Sequence, residues 1–209
     1  NELAVRIDDC KPKVILTASS GVEIDRILPY KPFVDSAIEL ATHKPQYVIL
    51  FKRLLGAVVP DKEYDIDYKS LVTASNEIDP VIVESNHPLY VLHTSGTTGK
   101  PKGIVRDTGG YATALKFSME YIYNVKPGEV FWAASDVGWV VGHSFIVYGP
   151  LLNRNTTVLF EGKPVKTPDA SAFWRIISEY NVKSVFAAPT AIRAIRKEDP
   201  DGLMLENFD

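Results

Sequence analysis

The chain has 209 residues, 45% of them hydrophobic, and its 23 Lys and Arg against 26 Asp and Glu give a formal net charge of −3. That balance excludes bulk nucleic-acid binding, which needs a strongly basic face. A single cysteine, Cys10, excludes an internal disulfide framework or a cysteine-clustered zinc site and fits a reducing compartment.

Residues 1–7 read as the middle of an amphipathic helix, and neither end carries a start or stop signal. The sequence is therefore expected to be a fragment of a longer protein, silent about targeting. Val14-Ile15-Leu16-Thr17 and Tyr47-Val48-Ile49-Leu50-Phe51 are continuous apolar runs, the pattern of buried parallel strands. Between them Phe33, Val34, Ala37, Ile38 and Ala41 recur at helical spacing. Polar, proline-containing breaks at 56–64 and 76–88 read as surface connections. Further strands are predicted at 89–93, 129–133, 157–160 and 184–187, and helices at 110–123, 143–152, 170–180 and 190–197. The longest apolar stretch, 137–152, is interrupted by Gly138, Gly142, His143, Gly149 and Pro150, and falls short of a membrane span. Strands alternating with helices predict an α/β fold, mainly parallel sheets flanked by helices. Phe131, Trp132 and Trp174 read as core.

The most informative stretch is Thr94-Ser95-Gly96-Thr97-Thr98-Gly99-Lys100-Pro101-Lys102-Gly103, directly after the apolar Tyr90-Val91-Leu92. Its glycines let successive N–H groups converge on one point. Thr94, Ser95, Thr97 and Thr98 add hydroxyl donors, and Lys100 and Lys102 add charge, so the loop suits a polyphosphate. No Walker A frame fits it, and Pro101 and Gly103 oppose immediate helix formation. A flexible polar surface turn is the bland alternative. Against it stands the loop's place at the C-terminal end of a strand, where ligands gather in open α/β sheets.

The loop resembles the phosphate-binding signature of the adenylate-forming (AMP-binding) enzymes, which include acyl-CoA synthetases, luciferases and peptide-synthetase adenylation domains. Ser135-Asp136-Val137-Gly138-Trp139-Val140-Val141-Gly142-His143-Ser144 is similar to the acyl-pocket segment of the acetyl- and propionyl-CoA synthetase branch. So are Tyr148-Gly149-Pro150-Leu151-Leu152, Phe160-Glu161-Gly162-Lys163-Pro164 and Ala188-Pro189-Thr190-Ala191-Ile192-Arg193. The likeness is greatest to short-chain, propionate-preferring synthetases of mitochondrial type. It implies that 1–209 is part of the large N-terminal domain, with a phosphate loop at 94–103, an acyl-pocket segment at 135–144 and the C-terminal domain absent.

The resemblance further implies a ligase that joins a short-chain carboxylate to ATP and passes the acyl group to CoA, releasing AMP and pyrophosphate. Thr94, Ser95, Gly96, Thr97, Thr98, Gly99 and Lys102 would hold the β- and γ-phosphates, and Mg2+ would arrive through those phosphates, with no residue assigned to metal. Trp139, Val140 and Val141 would wall the acyl pocket, and Arg26 would lie near the 3′-phosphate of CoA. Four positions depart from the branch. Val141 replaces a threonine typical of acetate enzymes, which leans toward propionate. Glu23 replaces a basic residue and would repel phosphate, Val165 replaces an asparagine offered to CoA, and His93 replaces a common tyrosine. The family's catalytic lysine and adenosine contacts fall beyond residue 209, so the fragment alone is expected to be inactive. Partners are expected to be small molecules, with neither nucleic acid nor membrane, in the mitochondrion or alternatively the cytoplasm. Two further readings stay open: an adenylating enzyme with another acceptor, and a non-catalytic phosphate-binding module. His143 reads either as catalytic or as a histidine satisfied at a helix start, and Asp136 as a cap rather than a metal ligand. Cys10 reads as a small buried or semi-buried residue with no neighbouring histidine.

Overall fold

The computed structural model describes residues 1–53, 60–94 and 102–205. Its contacts divide the chain into two compact units, one of residues 1–82 with 92–104 and the other of 83–91 with 105–209.

The first unit opens with α1 (Glu2–Cys10), β1 (Val14–Ala18), a hairpin of β2 (Ser20–Glu23) and β3 (Arg26–Pro29), and α2 (Lys31–Leu40). β4 (Tyr47–Phe51), β5 (Asp65–Asp67) and α3 (Tyr68–Ala74) follow. β1, β4 and β5 form a parallel sheet in that order, with Val14 opposite Tyr47 and Ile49 opposite Ile66. Ala4 and Ile7 of α1, Val34, Ala37 and Ile38 of α2, and Val48 of β4 close into one core. Both apolar runs are parallel strands with a helix between them, as expected, but the expected full burial is not found: in β1 the side chain of Leu16 is 64% exposed, and of the helical positions Phe33 is 65% exposed and turned away from the core. The hairpin and α3 carry no such pattern. The hairpin turns at Ile24, whose φ of 58° lies in the left-handed region, unusual for a β-branched residue. α3 is short and starts on a side-chain cap from Asp67.

β6 (Pro88–Thr94) and β7 (Lys102–Asp107) pair with each other and connect the units. The second unit continues with α4 (Thr108–Phe117), a π-helical turn at Ser118–Ile122, and β8 (Val130–Ala134). Next come α5 (Val140–Gly142), a π-helical turn at His143–Tyr148, α6 (Gly149–Leu152) and β9 (Thr156–Thr157). α7 (Ala172–Glu179), β10 (Val182–Ala187) and α8 (Pro189–Glu198) complete it. β8 lies between β10 and β9, all parallel. Its side chains alternate: Phe131 and Ala133 pack with Met119, Val125 and Ile146, while Trp132 packs with Ala170, Phe173 and Ile195. Helical segments thus cover both faces of a parallel sheet, and the fold is α/β.

Two expected elements differ. The strand at 157–160 is reduced to Thr156–Thr157, because Phe160 leaves the ladder to set its ring against Trp132 and over Gly162. The helices at 110–123 and 143–152 each contain a π-helical turn, which shifts the side-chain period that sequence patterning assumes. Among the described residues no helix is long and apolar enough to cross a membrane.

Candidate functional site

Thr94 is the last residue of β6 and Lys102 the first of β7, so the candidate phosphate loop joins two paired strands and no helix opens at Lys102. Thr94 is half-buried and Lys102 exposed. Ser95, Gly96, Thr97, Thr98 and Gly99 lie outside the described residues.

At the end of β6 the structure corrects the sequence reading of Cys10. The thiol is exposed, at the C-terminal end of α1, and its Sγ lies 3.6 Å from Nε2 of His93. Nε2 also meets Oδ2 of Asp9 at 2.8 Å. Residues 83 and 84 positions apart come together because α1 and this end of β6 belong to the same unit, which local sequence cannot foretell. Desolvation, then the Asp9 charge, pushes the thiol above its ordinary pKa, so the pair is not a pre-ionised nucleophile. The three ligand atoms lie within 4.8 Å of one another, a group able to hold a cation.

The acyl-pocket candidates stand in the second unit. Asp136 Oδ1 accepts from the Gly138 amide at 2.7 Å, the turn-capping role expected of it. Trp139 caps α5 in extended conformation and is 68% exposed, and Val140 and Val141 are half-buried. Gly142 presses against the preceding turn: a Cβ there would lie 2.1 Å from the Asp136 carbonyl oxygen and 2.5 Å from Val137 Cα. His143 Nδ1 sits 3.1 Å from the Trp139 carbonyl oxygen, the satisfied histidine at a helix start. Sequence reasoning missed what lies behind it. Tyr90 donates to Tyr111 at 2.9 Å, and the Tyr111 hydroxyl lies 2.8 Å from the buried Ser144 Oγ. Tyr148 stacks on Tyr90 with ring centroids 5.6 Å apart. Burial, then the bond to Tyr111, raises the Tyr90 pKa strongly. Ser144 and Tyr148 share a helical face at i, i+4, the one signal in the sequence that could have tied them together.

Arg26, also in the first unit, is exposed on the hairpin and directly opposite Glu23, whose Oε2 lies 2.6 Å from its guanidinium. The carboxylate expected to repel phosphate instead holds the arginine. Val165 packs against the Trp132 cluster. A groove of about 520 Å³ at Thr157, Leu159, Phe160, Ile176 and Tyr180 holds none of the predicted residues.

The frame that carries these candidate residues is α/β, with parallel sheets flanked by helices. The model of the AMP-binding enzyme family matches residues 1–207, and the chain belongs to that family. It is 55% identical to mitochondrial acyl-CoA synthetase short-chain family member 3 of Bos taurus, over 99% of this chain and 30% of that protein. It is 46% identical to propionate–CoA ligase of Escherichia coli, over 94% of this chain and 32% of that protein. An uncharacterized Pseudomonas aeruginosa protein matches at 55% identity, over 100% of this chain and 33% of its own length. The chain thus spans about a third of the length of these relatives.

Proposed function

We propose that residues 1–209 form the phosphate- and acyl-binding part of an AMP-forming acid–thiol ligase that activates a short-chain carboxylate with ATP and transfers it to CoA. Propionate is the favoured acid. The observation that carries this is the Trp139 indole standing exposed beside half-buried Val140 and Val141, on a helix start locked against its own turn by Gly142. A short acid offers only about 0.8 kcal/mol per methylene, so selection has to come from a fixed apolar wall that excludes longer chains. The kinship to a bacterial propionate–CoA ligase supports the acid, and that to a mitochondrial synthetase supports a mitochondrial location.

In this scheme Thr94 and Lys102 bound the candidate loop, and its hydroxyl, amide and ammonium donors would stabilise the charge growing on the leaving pyrophosphate. Magnesium arrives on the phosphates, and no side chain of the chain is assigned to it. Arg26 would exchange its Glu23 partner for the CoA phosphate, a trade that costs it an ion pair already made. The lysine that completes adenylation would come from outside these residues.

The test is AMP formation by the intact protein with ATP, CoA and either acid. Propionate is expected to give the higher kcat/KM, and Val141→Thr to move the ratio toward acetate by about tenfold. Acid-dependent pyrophosphate exchange without CoA consumption would assign a different acceptor. No exchange at all would leave a phosphate-binding module.

A further inference from the structure

We propose that Asp9, Cys10 and His93 form a binding site for a divalent transition metal of the zinc class, a site separate from the ligase reading and not dependent on it. Three observations carry it. The first is the donor set. A thiolate, an imidazole and a carboxylate are the ligands zinc takes, and the two anions balance its charge while a water completes four-coordination.

The second is distance. Zinc–sulfur bonds of about 2.3 Å and zinc–nitrogen bonds of about 2.0–2.1 Å at a tetrahedral angle set sulfur and nitrogen about 3.6 Å apart. Cys10 Sγ stands 3.6 Å from His93 Nε2 and 3.7 Å from Nδ1, over the ring face, so the exposed Cys10 side chain has to turn toward the Nε2 lone pair at that same separation for both to meet one ion. The Nε2 to Asp9 Oδ2 distance of 2.8 Å is that of a hydrogen bond and has to open to about 3.4 Å to admit the ion. Asp9 can yield that much, since its side chain is 64% exposed, whereas the His93 ring is fixed at 9% exposure.

The third is the setting. Asp9 and Cys10 close α1, whose last turn has no basic residue, so the partial negative charge of the helix end favours a cation there. The neighbouring Asp8 is already committed, its Oδ1 accepting from the His43 amide at 2.7 Å, which leaves Asp9 as the available carboxylate. Because His93 directly precedes Thr94, an ion held here ties the base of the candidate phosphate loop to α1.

Cobalt(II) titration of the full chain under reducing conditions tests this, followed by zinc competition. One equivalent is expected to bind and to give a thiolate-to-cobalt charge-transfer band in the near ultraviolet, displaced by zinc and untouched by magnesium. Cys10→Ser is expected to abolish the band. His93→Gln and Asp9→Asn should each weaken zinc by about tenfold or more, since loss of an outer partner alone typically costs a metal site that much. Zinc should also raise the melting temperature of the wild-type chain and not that of Cys10→Ser. Asp9 and Cys10 are exposed, so their variants remain readable even where His93→Gln fails to fold. Absence of saturable binding, or binding that Cys10→Ser leaves unchanged, would overturn the site.

Discussion

Asp67 caps α3 through the Ser70 amide at 2.9 Å and holds Lys52 Nζ at 2.9 Å. The Lys52 bond, then the Ser70 amide, lowers its pKa to about 2 from an ordinary 3.8. A depressed carboxylate pKa adds stability that is complete above the ordinary value and drains away as pH falls through the folded one. The start of α3 is therefore expected to loosen between pH 3.8 and about 2, as followed by the Ser70 amide resonance in an NMR titration. Asp67→Asn keeps an acceptor for the cap and loses the charge, so the same resonance should become insensitive to acid over that range. A midpoint at the ordinary carboxylate value in the wild type would remove the Lys52 contact from the account. Arg26 shows what a single residue conceals in sequence. The charge of Glu23 was legible; that it faces Arg26 across a hairpin and pairs with it follows only from the register, Glu23 opposite Arg26.

The candidate pocket segment shows how an element depends on a missing side chain. α5 and the 136–137 turn approach so closely that Gly142 leaves no room for a methyl group, because the obstacles are backbone atoms that cannot rotate away. At Gly138 a Cβ would meet only the Asp136 Oδ1 at 3.1 Å, a side-chain atom that can give by a few tenths of an ångström where backbone cannot. Gly142→Ala is expected to cost about 1–3 kcal/mol by overpacking, read as a lower urea midpoint, and to change quenching of the exposed Trp139. Gly138→Ala should come much nearer to the wild type in both measurements. Equal effects at the two positions would mean that the turn yields freely and does not fix α5. The sequence pattern foretold this element as a helix at 143–152, but α5 begins before it and the turn at His143–Tyr148 is π-helical. Periodicity locates apolar faces and is blind to a widened turn, whose cause is tertiary: Ser144 bonded to Tyr111, Tyr148 stacked on Tyr90. The strands were easier. β1 and β4 are apolar runs whose composition alone sets them apart as strands, though only Val48 and Leu50 of β4 are buried and Leu16 of β1 is 64% exposed, and β8 was displaced by one residue at each end.

At the scale of the whole chain, the α/β class was legible because strands and helices alternate, while the division into two compact units was not, since β6 and β7 contribute to both. Lys31 offers a way to see that division energetically. Its side chain is 1% exposed, with Nζ 2.7 Å from Asp35, 2.9 Å from Asp65 and 3.6 Å from Asp61. Tyr64 donates to the same Asp35 at 3.0 Å, and its own hydroxyl is pushed up to about 12 by burial and that bond. Desolvation pulls the Lys31 pKa down, but the bonds to Asp35 and Asp65 outweigh it and keep the ammonium charged. Lys31→Met would leave Asp65, whose side chain is fully buried and whose Oδ1 already has no hydrogen-bond partner, with its charge uncompensated. Breaking a buried pair in this way costs about 3–5 kcal/mol. Every group in the cluster belongs to the first unit, so hydrogen exchange should speed up in β1, β4 and β5 of Lys31→Met. β8 and β10 should keep their wild-type protection. Adding Asp65→Asn should restore part of the loss, because a neutral amide no longer needs the ammonium, and the shortfall from additivity measures the pair. Equal acceleration in β8 and β10 would show instead that the two units unfold as one, with the buried cluster stabilising the entire chain.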